Sequence, residues 1–167
     1  HIAFSSALSS SYQTVCMVVA ELLEEYPDAK IAVIDSKNVS LSQSLLVIKA
    51  NNLREAGASY EEVVATLETF KNHLNVQFTV DDLFHLHRGG RVSKTVALVG
   101  SALNLKPFFY VNTDGGLTVD GNVRGRKKAL RTLVERMKDT LAENTDYSFP
   151  VGIAHGNCYE DALAVAE

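Results

Sequence analysis

The sequence predicts an α/β fold: two sub-domains of mixed sheets flanked by helices. Three observations carry that prediction. Segments with helical apolar spacing alternate with short strand-type runs along the chain. Asp114-Gly115-Gly116 joins two such runs as a hairpin, which brings antiparallel pairing into the sheet. Two helices follow one another around Gly57, and the pattern restarts at Val76. A boundary near Asn75 therefore divides the chain into 1–75 and 76–167.

Taken in order, Ile2 to Phe4 is a strand remnant, and Ser5 to Ser11 a small polar turn. A helix runs from Ser9 or Ser10 to Tyr26, with Val15, Val18, Val19, Leu22 and Leu23 on one side; Pro27-Asp28 ends it. Lys30 to Ile34 is a buried-type strand closed by Asp35-Ser36. A helix from Leu41 to Glu55 is closed by Gly57. Ser59 and Glu62 form a capping box for the next helix, which runs to about His73. Val76 to Val80 is a strand, Asp81 to His87 a short helix, and Arg88-Gly89-Gly90-Arg91 a tight turn. Ser93 caps a helix to Leu103. Lys106 to Asn112 and Leu117 to Val123 are the hairpin strands, followed by a helix from Arg126 to Glu143. Phe149 to Ala154 is a last strand, with a helix from Cys158 onward. The chain opens within a strand, without Met, and stops within a helix. Both ends are expected to be truncated.

Bulk properties narrow the class. Of 167 residues, 46% are hydrophobic and 22% charged, a globular balance. The net charge of −4 and pI near 5.7 argue against a general nucleic-acid binder. Cys16 lies in an apolar run and Cys158 follows a His-Gly-Asn turn, and neither has a CxxC partner. A reduced, cytoplasmic chain is the simpler expectation. No apolar run approaches the roughly 20 residues of a membrane span, and no basic leader opens the chain, so integral membrane association is not expected.

Three segments are specific when taken together. The first is Phe4-Ser5-Ser6-Ala7-Leu8-Ser9-Ser10-Ser11-Tyr12-Gln13. The second is Val33-Ile34-Asp35-Ser36 with Gln43-Ser44-Leu45-Leu46 after it. The third is Arg88-Gly89-Gly90-Arg91-Val92-Ser93-Lys94, then Gly100, Leu105-Lys106-Pro107 and Val123-Arg124-Gly125-Arg126-Lys127-Lys128-Ala129. In order and spacing, across nearly the whole chain, these segments resemble the DegV family of fatty-acid-binding proteins. The first is similar to a family turn that commonly reads Ser-Ser-Gly-Leu-Ser-Gly-Thr-Tyr-Gln. Ala7 and Ser10 stand where the family usually has glycine, and Ser11 where it has threonine. A Thr-Ser-Gln-Pro-type loop and a His-Thr-Gly-Pro-Gly-type loop, which help hold the ligand in relatives, are missing.

The resemblance implies a cytoplasmic carrier with a lipid tunnel between its sub-domains. It would bind a long-chain fatty acid, need no cofactor, and present the acid to a partner kinase without itself catalysing. Buried methylenes favour an apolar tunnel, whereas a carboxylate needs fixed donors. A serine turn entering a helix supplies hydroxyls, N–H groups and a positive dipole end. The resemblance assigns Ser5 and Ser6 to the carboxylate, although capping is the commoner role of serine. Val15, Val19, Leu45, Ile48, Leu83, Leu98 and Leu103 are tunnel candidates that are ordinary core residues by default.

Arg88 and Arg91 contact an anion or partner in one reading, and pair with Asp81 or Asp82 in the other. Arg124, Arg126, Lys127, Lys128 and Arg131 crowd a helix start, the unfavourable end for cations, which an anionic partner surface would relieve. The alternative is a solvated basic face. His85 and His87, near His73, point apart at helical spacing, so no metal site is expected. His155 ends a strand and is a weak ligand candidate, and His155 with Cys158 lacks an orienting third group. GxSxG, Walker, GxGxxG and HExxH motifs are absent from the sequence. Two other readings stay open: a small-molecule enzyme using Arg88, Arg91 and the serine turn on an anionic substrate, and an adaptor binding protein through its basic patch.

Overall fold

A computed structural model describes residues 1–93, 105–142 and 150–167. The elements are β1 (Ile2–Ala3), α1 (Ser11–Glu25), β2 (Ile34–Asp35), α2 (Ser40–Glu55), α3 (Tyr60–Phe70) with a 3₁₀ turn at Lys71–His73, and β3 (Gln77–Thr79). They continue with α4 (Leu83–Arg88), β4 (Leu105–Val111), β5 (Leu117–Arg124), α5 (Arg126–Ala142) and α6 (Tyr159–Ala166). The fold is mixed α/β. Two compact units result: His1–Val76 with Val111–Gly116, and Gln77–Tyr110 with Leu117–Glu167. No helix among the described residues is long and apolar enough to cross a membrane.

In the first unit β1 pairs parallel with β2, Ile2 opposite Ile34 and Ala3 opposite Asp35. Ile34, Leu46 and Leu67 form its core, with Ile2, Ala50, Val63, Phe70 and Leu74 packed around them. The helix ends follow local chemistry. Ser59 Oγ accepts from the Glu62 amide, and the Glu62 carboxylate accepts from the Ser59 amide, closing the expected capping box. Gly57 takes φ +84° after α2. The Gly57 and Ala58 amides donate back to Arg54 and Leu53, a Schellman stop that a left-handed residue makes possible.

In the second unit the sheet order is β3-β4-β5. β3 runs antiparallel to β4, with Phe78 opposite Phe109, and their rings stack at 5.0 Å. Leu83 and Phe109 form the core here, with Phe84, Leu86, Val92 and Leu117 against them. Asp82 caps α4 by accepting from the Phe84 amide at 2.8 Å. The Arg88–Arg91 turn is a second Schellman stop: Gly90, at φ +75°, donates to His87, and Arg91 to Leu86.

Two expected strands are corrected. Lys30 to Ile34 contributes only Ile34 to a ladder, because β1 offers a partner just two residues long. Residues 150–154 are exposed and form no strand among the described residues, where a strand requires a neighbour to accept its backbone bonds. Phe149 and the expected helix from Lys94 to Leu103 lie outside the described residues. So do the tunnel candidates Leu98 and Leu103. Leu83 is a core residue of the second unit, Ile48 is exposed, and Val15, Val19 and Leu45 are half-buried. No residue of α1 is buried; along the apolar stripe read from its sequence, Val15, Val19 and Leu23 are half-buried and Val18 and Leu22 exposed.

Candidate functional site

The serine turn connects the carboxyl end of β1 to the N-terminus of α1, within the first unit. Its backbone closes on Ser5, whose carbonyl accepts from the Leu8 and Ser9 amides. The Ser5 amide donates to the Asn38 carbonyl, and its hydroxyl to the Gly115 carbonyl at 2.7 Å. Ser5 is fully buried by this arrangement. Gly115 sits at φ +85°, and a Cβ there would lie 2.3 Å from Ser5 Oγ. Only glycine fits that contact.

Ser6 is half-exposed and faces the end of β2. Its hydroxyl donates to Asp35 Oδ2 at 2.5 Å and its amide to Asp35 Oδ1 at 3.1 Å. The Lys37 amide donates to the same Oδ1 at 3.0 Å. The Asp35 carboxylate thus fills a small nest of donors. Burial pushes its carboxyl up, but the Ser6 hydroxyl, the Lys37 and Ser6 amides and the positive charge of Lys71 together hold it below the ordinary value. Beside it, the Tyr12 hydroxyl is pushed up by its bond to and charge interaction with Cys16, then by burial and the charges of Asp35 and Glu68.

Buried Ser36 and Asn38 brace this cluster. The Asn38 amide side chain donates to the Ser36 carbonyl at 2.7 Å and to the Lys71 carbonyl at 3.0 Å. Lys37 reaches the Thr113 carbonyl at 3.2 Å. At the helix start, the Ser11 amide donates to Ser9 Oγ, while Ser10, the N-cap residue, makes no side-chain cap. Ser11 Oγ is buried and has no hydrogen-bond partner among the described residues. Such an orphan beside a helix N-terminus is an unmet donor and acceptor.

The basic residues fall into separate groups. Arg88 lies 3.4 Å from Asp82 in an exposed pair, and the Arg91 guanidinium donates to the Gly89 carbonyl. Arg126 is held internally, 3.0 Å from Asp81 and 2.8 Å from Asp161, with Lys106 also on Asp81 at 2.8 Å. Asp81 is held below its ordinary value, chiefly by Lys106 and by Arg126, against the upward push of burial. Arg124, Lys127, Lys128 and Arg131 are exposed, with no ion-pair partner among the described residues.

The histidine candidates make local contacts. His87 Nδ1 lies 3.2 Å from the Val92 carbonyl, and His155 Nδ1 accepts from the Cys158 backbone amide at 3.3 Å. Among the described residues no three His, Cys, Asp or Glu are grouped to hold a metal. A shallow pocket on α2 and α3, lined by Lys49, Ala65, Thr66, Thr69, Phe70 and His73, includes no serine-turn residue. Sequence reasoning missed Asp35 and Gly115 as site residues. Asp35 had one signal, an acid at the carboxyl end of a strand, where α/β sheets place ligand groups.

The family model described as "Uncharacterised protein, DegV family" matches residues 1–167. The DegV domain-containing protein CPE0026 of Clostridium perfringens is 42% identical over 167 residues, covering 100% of this chain and 57% of that protein. The crystal structure of a DegV family protein from Ruminococcus gnavus, with vaccenic acid, superposes with a TM-score of 0.83 at 27% identity, over 99% of this chain and 58% of that one. The Streptococcus pneumoniae Fatty Acid Kinase (Fak) B3 protein, loaded with linoleic acid, gives 0.77 at 29% identity, over 83% and 49%. The chain thus spans about half the length of the relatives it matches. On a family model that covers it from end to end, the chain belongs to the DegV family.

Proposed function

We propose that this chain is part of a protein that binds a long-chain fatty acid and presents its carboxylate to a partner kinase. The observation that carries this reading is that similar solved structures hold vaccenic and linoleic acid, the second in a fatty acid kinase component. The serine turn suits the head group. It offers half-exposed Ser6, the orphaned Ser11 hydroxyl and the N-terminus of a 15-residue helix. In this reading Ser6 contacts the carboxylate, and Ser5 anchors the turn through Gly115. The acyl tail lies along the incompletely covered apolar side of α1, at Val15, Val18, Val19 and Leu22. Arg88, Arg91 and the exposed cations around Arg124 serve the kinase encounter, while Arg126 holds α5 in place.

Native mass spectrometry of the purified protein, followed by release and identification of its bound molecule, tests this. A near-stoichiometric long-chain acid is the expected result. A protein that stays empty when offered oleate rules the reading out.

A further inference from the structure

We propose that binding of a long-chain carboxylate at Ser6 is coupled to protonation of Asp35, so that the site takes up one proton with each acyl chain; this rests on the fatty-acid reading above. The constraint is donor arithmetic. A serine hydroxyl has one hydrogen to give. That of Ser6 goes to Asp35 Oδ2 at 2.5 Å, and the Ser6 amide goes to Asp35 Oδ1. The nest at the turn is therefore already filled by an anion of the protein's own. A ligand carboxylate reaching Ser6 finds neither donor free and meets a like charge immediately beyond it. Two carboxylates at such range do not both remain ionised without a large penalty, and one takes up a proton.

Protonating Asp35 removes both obstacles. The new O–H on Oδ2 donates to Ser6 Oγ, which reverses that hydrogen bond. The hydrogen of Ser6 then turns to the ligand. Oδ1 continues to accept from the Ser6 and Lys37 amides, so the turn keeps its shape. The proton comes from water, the ligand stays an ionised carboxylate, and no bond to carbon is made or broken.

The surrounding charges set the cost. Lys71, from the 3₁₀ turn, opposes protonation of Asp35. Glu68, from α3, pairs with Lys71 at 2.6 Å and offsets part of its charge. Tyr12, from α1, stands near both Asp35 and Glu68. Lys37, on the loop after β2, directs its ammonium to the Thr113 carbonyl. The balance keeps the empty site's Asp35 ionised at neutral pH, so it has a proton to gain.

Asparagine is the neutral counterpart of the protonated acid. In Asp35→Asn, Oδ1 still accepts from the two amides, and Nδ2 donates to Ser6 Oγ. The experiment is calorimetric titration of oleate, below its aggregation concentration, in buffers of different ionisation enthalpy. Wild type should take up close to one proton per acyl chain, and its Kd should rise about tenfold per pH unit above neutrality. Asp35→Asn should bind with a pH-independent Kd and no proton uptake. Binding by wild type without uptake overturns the proposal, as does uptake that persists in Asp35→Asn. Lost binding in a folded Asp35→Asn overturns it too, because the ligand would then need the ionised acid. If Asp35→Asn does not fold, the wild-type proton count decides alone. No saturable oleate binding by wild type removes the fatty-acid reading and this proposal together, which separates the two failures.

Discussion

Ser5 and Ser6 are adjacent, yet their environments divide the work of the turn. Ser5 gives its hydroxyl to the Gly115 carbonyl in a fully buried contact. Ser6 is half-exposed and gives its hydroxyl to Asp35. Ser5→Ala should therefore destabilise the protein by about 1–3 kcal/mol, the usual result of orphaning a buried partner. Ser6→Ala should leave stability less affected and weaken oleate binding roughly tenfold or more, as expected for a hydrogen bond to a charged group. Urea unfolding and oleate titration of the two variants separate these outcomes; equal binding losses would mean the division is wrong. Gly115→Ala should resemble Ser5→Ala in unfolding, since its Cβ would lie on Ser5 Oγ and its φ is left-handed. Asp35 adds a pH term. Its carboxyl is held low in the folded state, so its stabilisation is present above its ordinary pKa and is lost as pH falls through the lower folded value. The stability gap between wild type and Asp35→Asn should accordingly narrow in acid, with urea midpoints at neutral and acid pH as the measurement.

The elements were legible where a local signal determines a local structure. Ser59 with Glu62 announced the start of α3, and the box forms as read. Ser59→Ala should lower stability by about 1 kcal/mol, seen as a lower urea midpoint with an unchanged slope. Gly57 marked a helix stop and Gly89-Gly90 a tight turn, and both make Schellman bonds. Signals that depend on a partner elsewhere in the chain were less informative. Lys30 to Ile34 reads as a buried strand, but a ladder forms only where β1 lies alongside it, at Ile34 and Asp35. The apolar period of α1 identified the helix correctly, and no residue of it is buried. Periodicity defines a face without saying what covers it. The clasp of Ser6 on Asp35 spans 29 residues of sequence, and that of Ser5 on Gly115 spans 110. Neither separation is fixed by a motif spacing, so Gly115 could not be read as a site residue from the sequence, and Asp35 only through its place at a strand end.

For the whole molecule, the net charge of −4 conceals an uneven distribution. Asp81 and Asp161 neutralise Arg126 within the second unit, while Arg124, Lys127, Lys128 and Arg131 stay exposed around the start of α5. Cations at a helix N-terminus oppose its dipole, so this cluster carries an electrostatic cost that an acidic partner surface would relieve. Exposed charges of this kind act mainly on association rate and its salt dependence. If the proposed kinase docks here, replacing Arg124, Lys127, Lys128 and Arg131 with glutamate should slow that association by tenfold or more at low salt. The effect should fade as salt approaches the regime where the screening length is only about 3 Å. Oleate affinity measured in parallel separates a docking defect from a ligand-binding one, the serine turn being part of the first unit. Arg126 needs separate treatment. Arg126→Ala leaves Asp81 and Asp161 without their shared partner, so it should lower stability, and any loss of kinase association should follow unfolding rather than salt. Stopped-flow association across a salt series, alongside oleate titration, distinguishes a docking surface from a structural one. A salt-independent rate in the glutamate variant, equal to wild type, would assign this basic face to solvent alone.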